Sequence, residues 1–235
     1  MITVSVRIFL SGIHAQHACR NFYGYNKRKG LKGIKELLSR LIAWRVNLFW
    51  YVFVLIFNFL IIYMPYIICS LLGDNFGITV NTRLLMPFYF LIAIVFWGPL
   101  GEEIGWRGYV QPGLRQKLKL FPTGIIVDAV WGLWHLPLFF IPGASQYGAS
   151  FPGFLISDIA LGVVFAWVYE RTGGSLLLSC LFHAAWNFTN GLITVRSVNV
   201  DMTKYTIISN IIYVVILIFM IIDMYKKKKE ATVKA

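Results

Sequence analysis

Charge is scarce in this chain. Of its 235 residues only 14% are charged, against roughly 25% in ordinary soluble domains. Acids are the scarcest, with ten Asp and Glu against 22 Lys and Arg. Cysteine is also sparse: Cys19, Cys69 and Cys180 show no metal-type spacing, and two of them lie in apolar runs. They read as small buried hydrophobes. A cleavable leader is not expected, since the short apolar stretch in Met1 to Ala18 is broken by Arg7 and has no convincing cleavage site. Internal repeats, low-complexity tracts and a second, soluble domain are equally missing.

What the chain has instead is apolar sequence. Hydrophobic residues make up 58% of it, and the mean hydropathy is +0.68. That describes an integral membrane protein rather than a soluble domain with a large core. The net charge of +12 raises nucleic acid as a partner, but the basic residues sit in short stretches between apolar runs. This is the positive-inside pattern, so membrane lipid is the expected partner and nucleic acid is not.

Residues 1–45 form a tail and a basic amphipathic segment. His14 and His17 share a helix spacing within it, but a solvated terminus explains them better than a metal site. Leu31, Ile34, Leu37, Leu38, Leu41 and Ile42 recur at helical spacing among lysines and arginines, which suits a helix lying on an anionic membrane surface. Residues 46–225 are one transmembrane domain, and 226–235 a basic cytoplasmic tail. Spans are expected over Leu48–Leu72, from Leu84 into the stretch at Glu102, over Leu120–Ile141, Phe154–Tyr169, Ser175–Val195 and Tyr205–Ile222. The fold class is therefore all-α, a polytopic membrane bundle of about six transmembrane helices with an amphipathic surface helix before it. Basic stretches then fall on one side, leaving only Asp74, Arg83, Arg196, Asp201 and Lys204 on the other, and both termini are placed in the cytoplasm.

Polar groups inside those spans are few: Glu102, Glu103, Arg107, Asp128, His135, Asp158, His183 and Asn187. In hydrocarbon they must face one another or a wet cavity. If the helix continues past Gly101, Glu103 and Arg107 are four apart and share a face, an ion-pairing arrangement. Glu102 points about 100° away and has no such partner. His183 and Asn187 also share a face, as do Trp131 and His135. Alone, each has a bland reading: a helix end with interfacial charges, a hydrogen-bonding His, an Asn that glues helices, aspartates that serve packing. Together they form a plausible reactive constellation.

Glu102-Glu103-x-x-x-Arg107, then Trp131-x-x-x-His135, then His183-x-x-x-Asn187, each on its own span and in this order, resembles the CPBP (CAAX protease and bacteriocin-processing, or Abi) family of intramembrane endopeptidases. The likeness covers roughly Phe88 to Leu192. Two departures stand out: Trp131 replaces a frequent Phe, and relatives commonly carry further transmembrane helices before the basic segment.

What the resemblance implies is peptide hydrolysis by an activated water, with a peptide or protein tail as substrate, in a bacterial plasma membrane. Carried over to this chain, Glu102 and His135 hold and deprotonate the water, Glu103 pairs with Arg107, and His183 with Asn187 stabilises the oxyanion; the glutamates could exchange roles. A Glu with two His also matches a zinc ligand set, here Glu103 or Glu102 with His135 and His183, as in a metalloprotease. No His-Glu-x-x-His motif is present, and a metal-free reaction is the expectation. Counting helical rise puts His183 about 12 Å, His135 about 22 Å and Glu102 about 9 Å below the cytoplasmic surface. Those depths disagree, so a tilt, a displaced third span or a funnel must reconcile them. Competing readings are a proton-coupled carrier using Asp128, Asp158 and the two histidines, and a non-catalytic bacteriocin immunity protein.

Overall fold

The computed structural model describes residues 30–80, 89, 94, 98–197 and 202–233. Expectations that fall elsewhere, among them the tail with His14 and His17, Cys19 and most of the second span, lie outside the described residues. What is described is a helical membrane bundle. Among the described residues three helices are long and apolar enough to cross a bilayer, over Leu48–Leu71, Phe151–Arg171 and Lys204–Met224.

The basic amphipathic segment is a helix over 30–39 (α1), ending in a 3-10 turn at Arg40–Ile42. Its periodicity turns Leu37 inward against Tyr169 and Leu176, while Leu31 and Ile42 stay exposed. Arg40 Nη1 donates to the Tyr169 hydroxyl at 2.8 Å. One edge of the helix thus rests on protein, Leu41 packing beside Leu37, and Leu31, Leu38 and Ile42 face outward, as on a membrane surface.

Helix α2 (Leu48–Leu71) starts where Asn47 Oδ1 accepts from the Phe49 N–H at 2.9 Å, a side-chain cap for a free helix-end donor. It runs on through Pro65. Buried Asn58 donates to the carbonyls of Val54 and Phe182, both at 3.2 Å. The amide nitrogen is thereby satisfied and ties two helices together, while Oδ1 is buried without a protein partner among the described residues.

Helix α3 (Pro99–Gly105) widens into a π turn (Trp106–Val110) and continues as α4 (Gln111–Arg115). Gly98 just before it has φ 100°, a conformation that L side chains avoid. Helix α5 (Leu120–Trp134) stops seven residues short of the expected Ile141, with His135 as its C-cap and a 3-10 turn over Leu136–Phe139. Pro137 is the physical reason, because it has no N–H to continue the ladder. Helix α6 (Phe151–Arg171) returns antiparallel to α5 and carries the largest buried run in the chain.

Helix α7 (Leu176–Leu192) ends earlier than the expected Val195. Its continuation is β2 (Ile193–Ser197), paired antiparallel with β1 (Phe76–Val80), Phe76 opposite Ser197 and Val80 opposite Ile193. The β-branched run Ile193-Thr194-Val195 favours the extended form. Helix α8 (Met202–Val233) closes the bundle. At the strand end, Lys204 Nζ donates to both oxygens of Asp74 at 2.9 Å.

The core lies between α2, α6 and α7, where Phe165 stacks on Phe182 at 4.2 Å and Trp50 meets Trp167 edge-on at 4.9 Å. Against α5, glycine is required at position 162: a Cβ there would lie 1.9 Å from Asp128 Cγ. Gly162→Ala is therefore expected to lower the melting temperature in detergent, since overpacking alone costs about 1–3 kcal/mol. A melt equal to wild type would show that the two helices part without loss.

Candidate active site

The site grows from the three polar stretches. On α3, Glu103 is 0% exposed and Arg107, one turn on, is 3% exposed. Arg107 Nη1 donates to Glu103 Oε1, but at 3.4 Å this is its longer bond. The shorter, 2.6 Å, runs from Nη2 to Asp128 Oδ1 on α5. The guanidinium also lies over the Phe165 ring, 4.6 Å from its centroid, a contact that favours a desolvated cation.

Because Arg107 leans to Asp128, Glu103 Oε1 is left close to His183. The His183 Nδ1 lies 2.8 Å from it. A carboxylate accepts, so Nδ1–H donates and the His183 Nε2 is turned away from the pair. Asn187 is half-buried one turn along α7, on the face that carries His183.

Glu102 differs from its neighbour in every respect. It is half-buried and makes no ion pair among the described residues, while its Oε2 accepts from the Trp131 indole Nε1 at 2.6 Å. Its Oε1 sits over Gly98, where a Cβ would come within 2.2 Å. Gly98 is thus demanded both by its positive φ and by the carboxylate above it.

His135 is 8% exposed, and its Nδ1 contacts the Trp131 carbonyl at 2.9 Å. A carbonyl only accepts, so Nδ1 carries the proton and Nε2 is the basic nitrogen. The ring lies 4.0 Å from that of Trp131, which also meets His183 edge-on at 5.9 Å. One indole therefore touches Glu102, His135 and His183.

Behind this layer is a cavity with room for about one water, roughly 10 Å³, lined by Glu103, Arg107, Asp128, Trp131, Asp158 and His183 among others. Four buried polar atoms of these lining residues lack a protein partner among the described residues: Glu103 Oε2, Asp128 Oδ2, Asp158 Oδ2 and Arg107 Nε. As to zinc, no three His, Cys, Asp or Glu side chains converge as a ligand set among the described residues. The Nδ1 atoms of both histidines face protein oxygens, the Trp131 carbonyl and the Glu103 carboxylate, which leaves Nε2 as the outward nitrogen of each ring.

Asp128 and Trp131 are the participants whose roles spacing alone did not disclose. Trp131 stood only as the aromatic of a motif, and Asp128 as a relay or packing group. Their signal was present in Asp128-x-x-x-Gly132 on α5, mirrored by Asp158-x-x-x-Gly162 on α6.

Fold and site together describe a membrane-embedded helical bundle with a buried carboxylate–imidazole–guanidinium centre. Residues 84–189 match the family described as Type II CAAX prenyl endopeptidase Rce1-like. Over that stretch the chain is similar to the CPBP, or CAAX protease, family. It is also similar to CAAX prenyl protease 2 of Methanococcus maripaludis, 30% identical over 114 residues. That alignment takes in 46% of this chain and 40% of the archaeal protein's length.

Proposed function

We propose that the protein is an intramembrane endopeptidase of the CAAX-protease type. It hydrolyses a bond in a peptide or protein tail that reaches the site from the cytoplasmic half of a bacterial plasma membrane, with both termini on that side. One observation carries the reading: Trp131 brings the Glu102, His135 and His183 motifs to one point, its indole Nε1 2.6 Å from Glu102 and its ring 4.0 Å and 5.9 Å from the two imidazoles.

In this reading water binds between the Glu102 carboxylate and the His135 Nε2. As its oxygen attacks the scissile carbonyl carbon, its proton passes to that base, a positioned general base being worth roughly 10²–10⁴-fold. The oxyanion that forms faces the Asn187 amide and the Nε2–H of His183, which in this step is the imidazolium, protonated on both nitrogens. When the C–N bond breaks, the same proton moves to the leaving amine. Glu103 does not touch the substrate; it holds His183 through Nδ1 and is itself held by Arg107. The chemistry proceeds without a metal.

The test is reconstitution in liposomes with a peptide library that includes prenylated C-terminal tails, read by mass spectrometry. Wild type is expected to give discrete cleavage products, unaffected by a chelator. His183→Ala should cut roughly 10²–10³-fold more slowly, the usual effect of removing one oxyanion donor. Undiminished cleavage in His183→Ala would sink the assignment, and loss on chelation with rescue by zinc would overturn the metal-free chemistry. Solute-coupled proton flux without cleavage would favour the carrier.

A further inference from the structure

Helices α5 and α6 cross in a reciprocal way. Asp128 of α5 lies over Gly162 of α6, where a Cβ would meet its Cγ at 1.9 Å. Asp158 of α6 lies over Gly132 of α5, where a Cβ would meet its Oδ2 at 2.9 Å. Each aspartate fits only because the facing helix has glycine, four residues beyond its own aspartate. Between the two apolar faces this is a costly arrangement, since buried carboxylates need partners. Packing alone would be served better by small apolar residues.

Of the two carboxylates, only Asp128 has an ion pair among the described residues, and it is the shortest in the site: 2.6 Å to Arg107 Nη2, against 3.4 Å from Nη1 to Glu103. Arginine presents a planar fork able to take one carboxylate with two nitrogens. Left with Glu103 alone, the guanidinium would close on it as a bidentate pair and draw its Oε1 from His183 Nδ1, now 2.8 Å away. Asp128 competes for the fork.

We infer that Asp128, seated over Gly162, is a positioning residue: it holds one arm of Arg107, which leaves Glu103 free to orient His183. It touches no substrate. Its kinetic consequence rests on the endopeptidase reading; its structural consequence does not.

The experiment uses the full chain labelled with ¹⁵N-histidine in detergent, with His183 assigned from His183→Gln. Asp128→Asn keeps the shape and an acceptor oxygen but loses the charge. It is expected to move the His183 ring nitrogen signals and leave those of His135, bonded to the Trp131 carbonyl, in place. In the peptide assay kcat should fall roughly 10- to 100-fold, the scale of a slight misplacement of catalytic groups, with KM unchanged. Unmoved His183 signals in folded Asp128→Asn would overturn the inference.

Should Asp128→Asn not fold, Arg107→Gln and the double variant Arg107→Gln/Asp128→Asn replace it. Once the arginine is gone, Asp128 has nothing to hold. The two should then give the same His183 signals, and a difference between them would equally overturn the inference. Absence of cleavage by wild type would instead sink the enzyme reading and leave the spectroscopic arm standing.

Discussion

Glu102→Ala is expected to abolish peptide cleavage, lowering kcat by roughly 10³-fold, the range of a lost general base, while the protein melts close to wild type. Both halves follow from where Glu102 sits. It is half-buried, its one hydrogen bond is from the Trp131 indole, and it makes no ion pair among the described residues. Water can replace the carboxylate at that indole, so little stability is lost. The same accessibility is what lets Glu102 meet a substrate water. Rates in liposomes and a melt in detergent, taken on one preparation, check the pair of expectations. Cleavage within a few-fold of wild type would remove Glu102 from the chemistry.

Glu103→Ala should behave in the opposite way, with collapse of stability as its main effect. The side chain is fully enclosed and holds Arg107 Nη1 and His183 Nδ1 on one oxygen. Removing it leaves a guanidinium arm and an imidazole N–H buried without their acceptor. Breaking a buried pair by deleting one partner costs about 3–5 kcal/mol, a large share of the roughly 5–15 kcal/mol that keeps a protein folded. The expected sign is a steep drop in melting temperature or in folded yield from detergent. A melt equal to wild type would mean that Arg107 and His183 find other acceptors, and that Glu103 is no clamp.

How far the site was legible in the sequence differs residue by residue. Spans Leu48–Leu71 and Phe151–Arg171 follow directly from hydropathy, because apolar runs of that length with so few charges have few alternatives. The Glu103–Arg107 contact follows from a spacing of four on a helix, although a π turn begins between them. The end of α5 was less legible. Its apolar pattern runs past His135, and only the proline shows that the hydrogen-bond ladder stops there.

Pairings between helices were the least legible. Local periodicity says which residues share a face, not which faces meet. Arg107 therefore looked like the partner of Glu103, when Asp128, 21 positions away, makes the shorter bond. Glu102 looked unpartnered because the indole that holds it lies on another helix. The glycines at 132 and 162 would have pointed to the α5–α6 crossing, since glycine in a helix interior is costly unless a neighbour needs the space.

The central claim is a division of labour between two adjacent glutamates, Glu102 for chemistry and Glu103 for holding His183. Its most direct test is a side-by-side measurement of Glu102→Gln and Glu103→Gln, scoring single-turnover cleavage and thermal melting on the same reconstituted samples. The account predicts that Glu102→Gln melts like wild type and does not cut, while Glu103→Gln melts markedly lower and keeps a residual rate in whatever fraction stays folded. A stable Glu103→Gln that is inactive, beside a Glu102→Gln that still cuts, would contradict it.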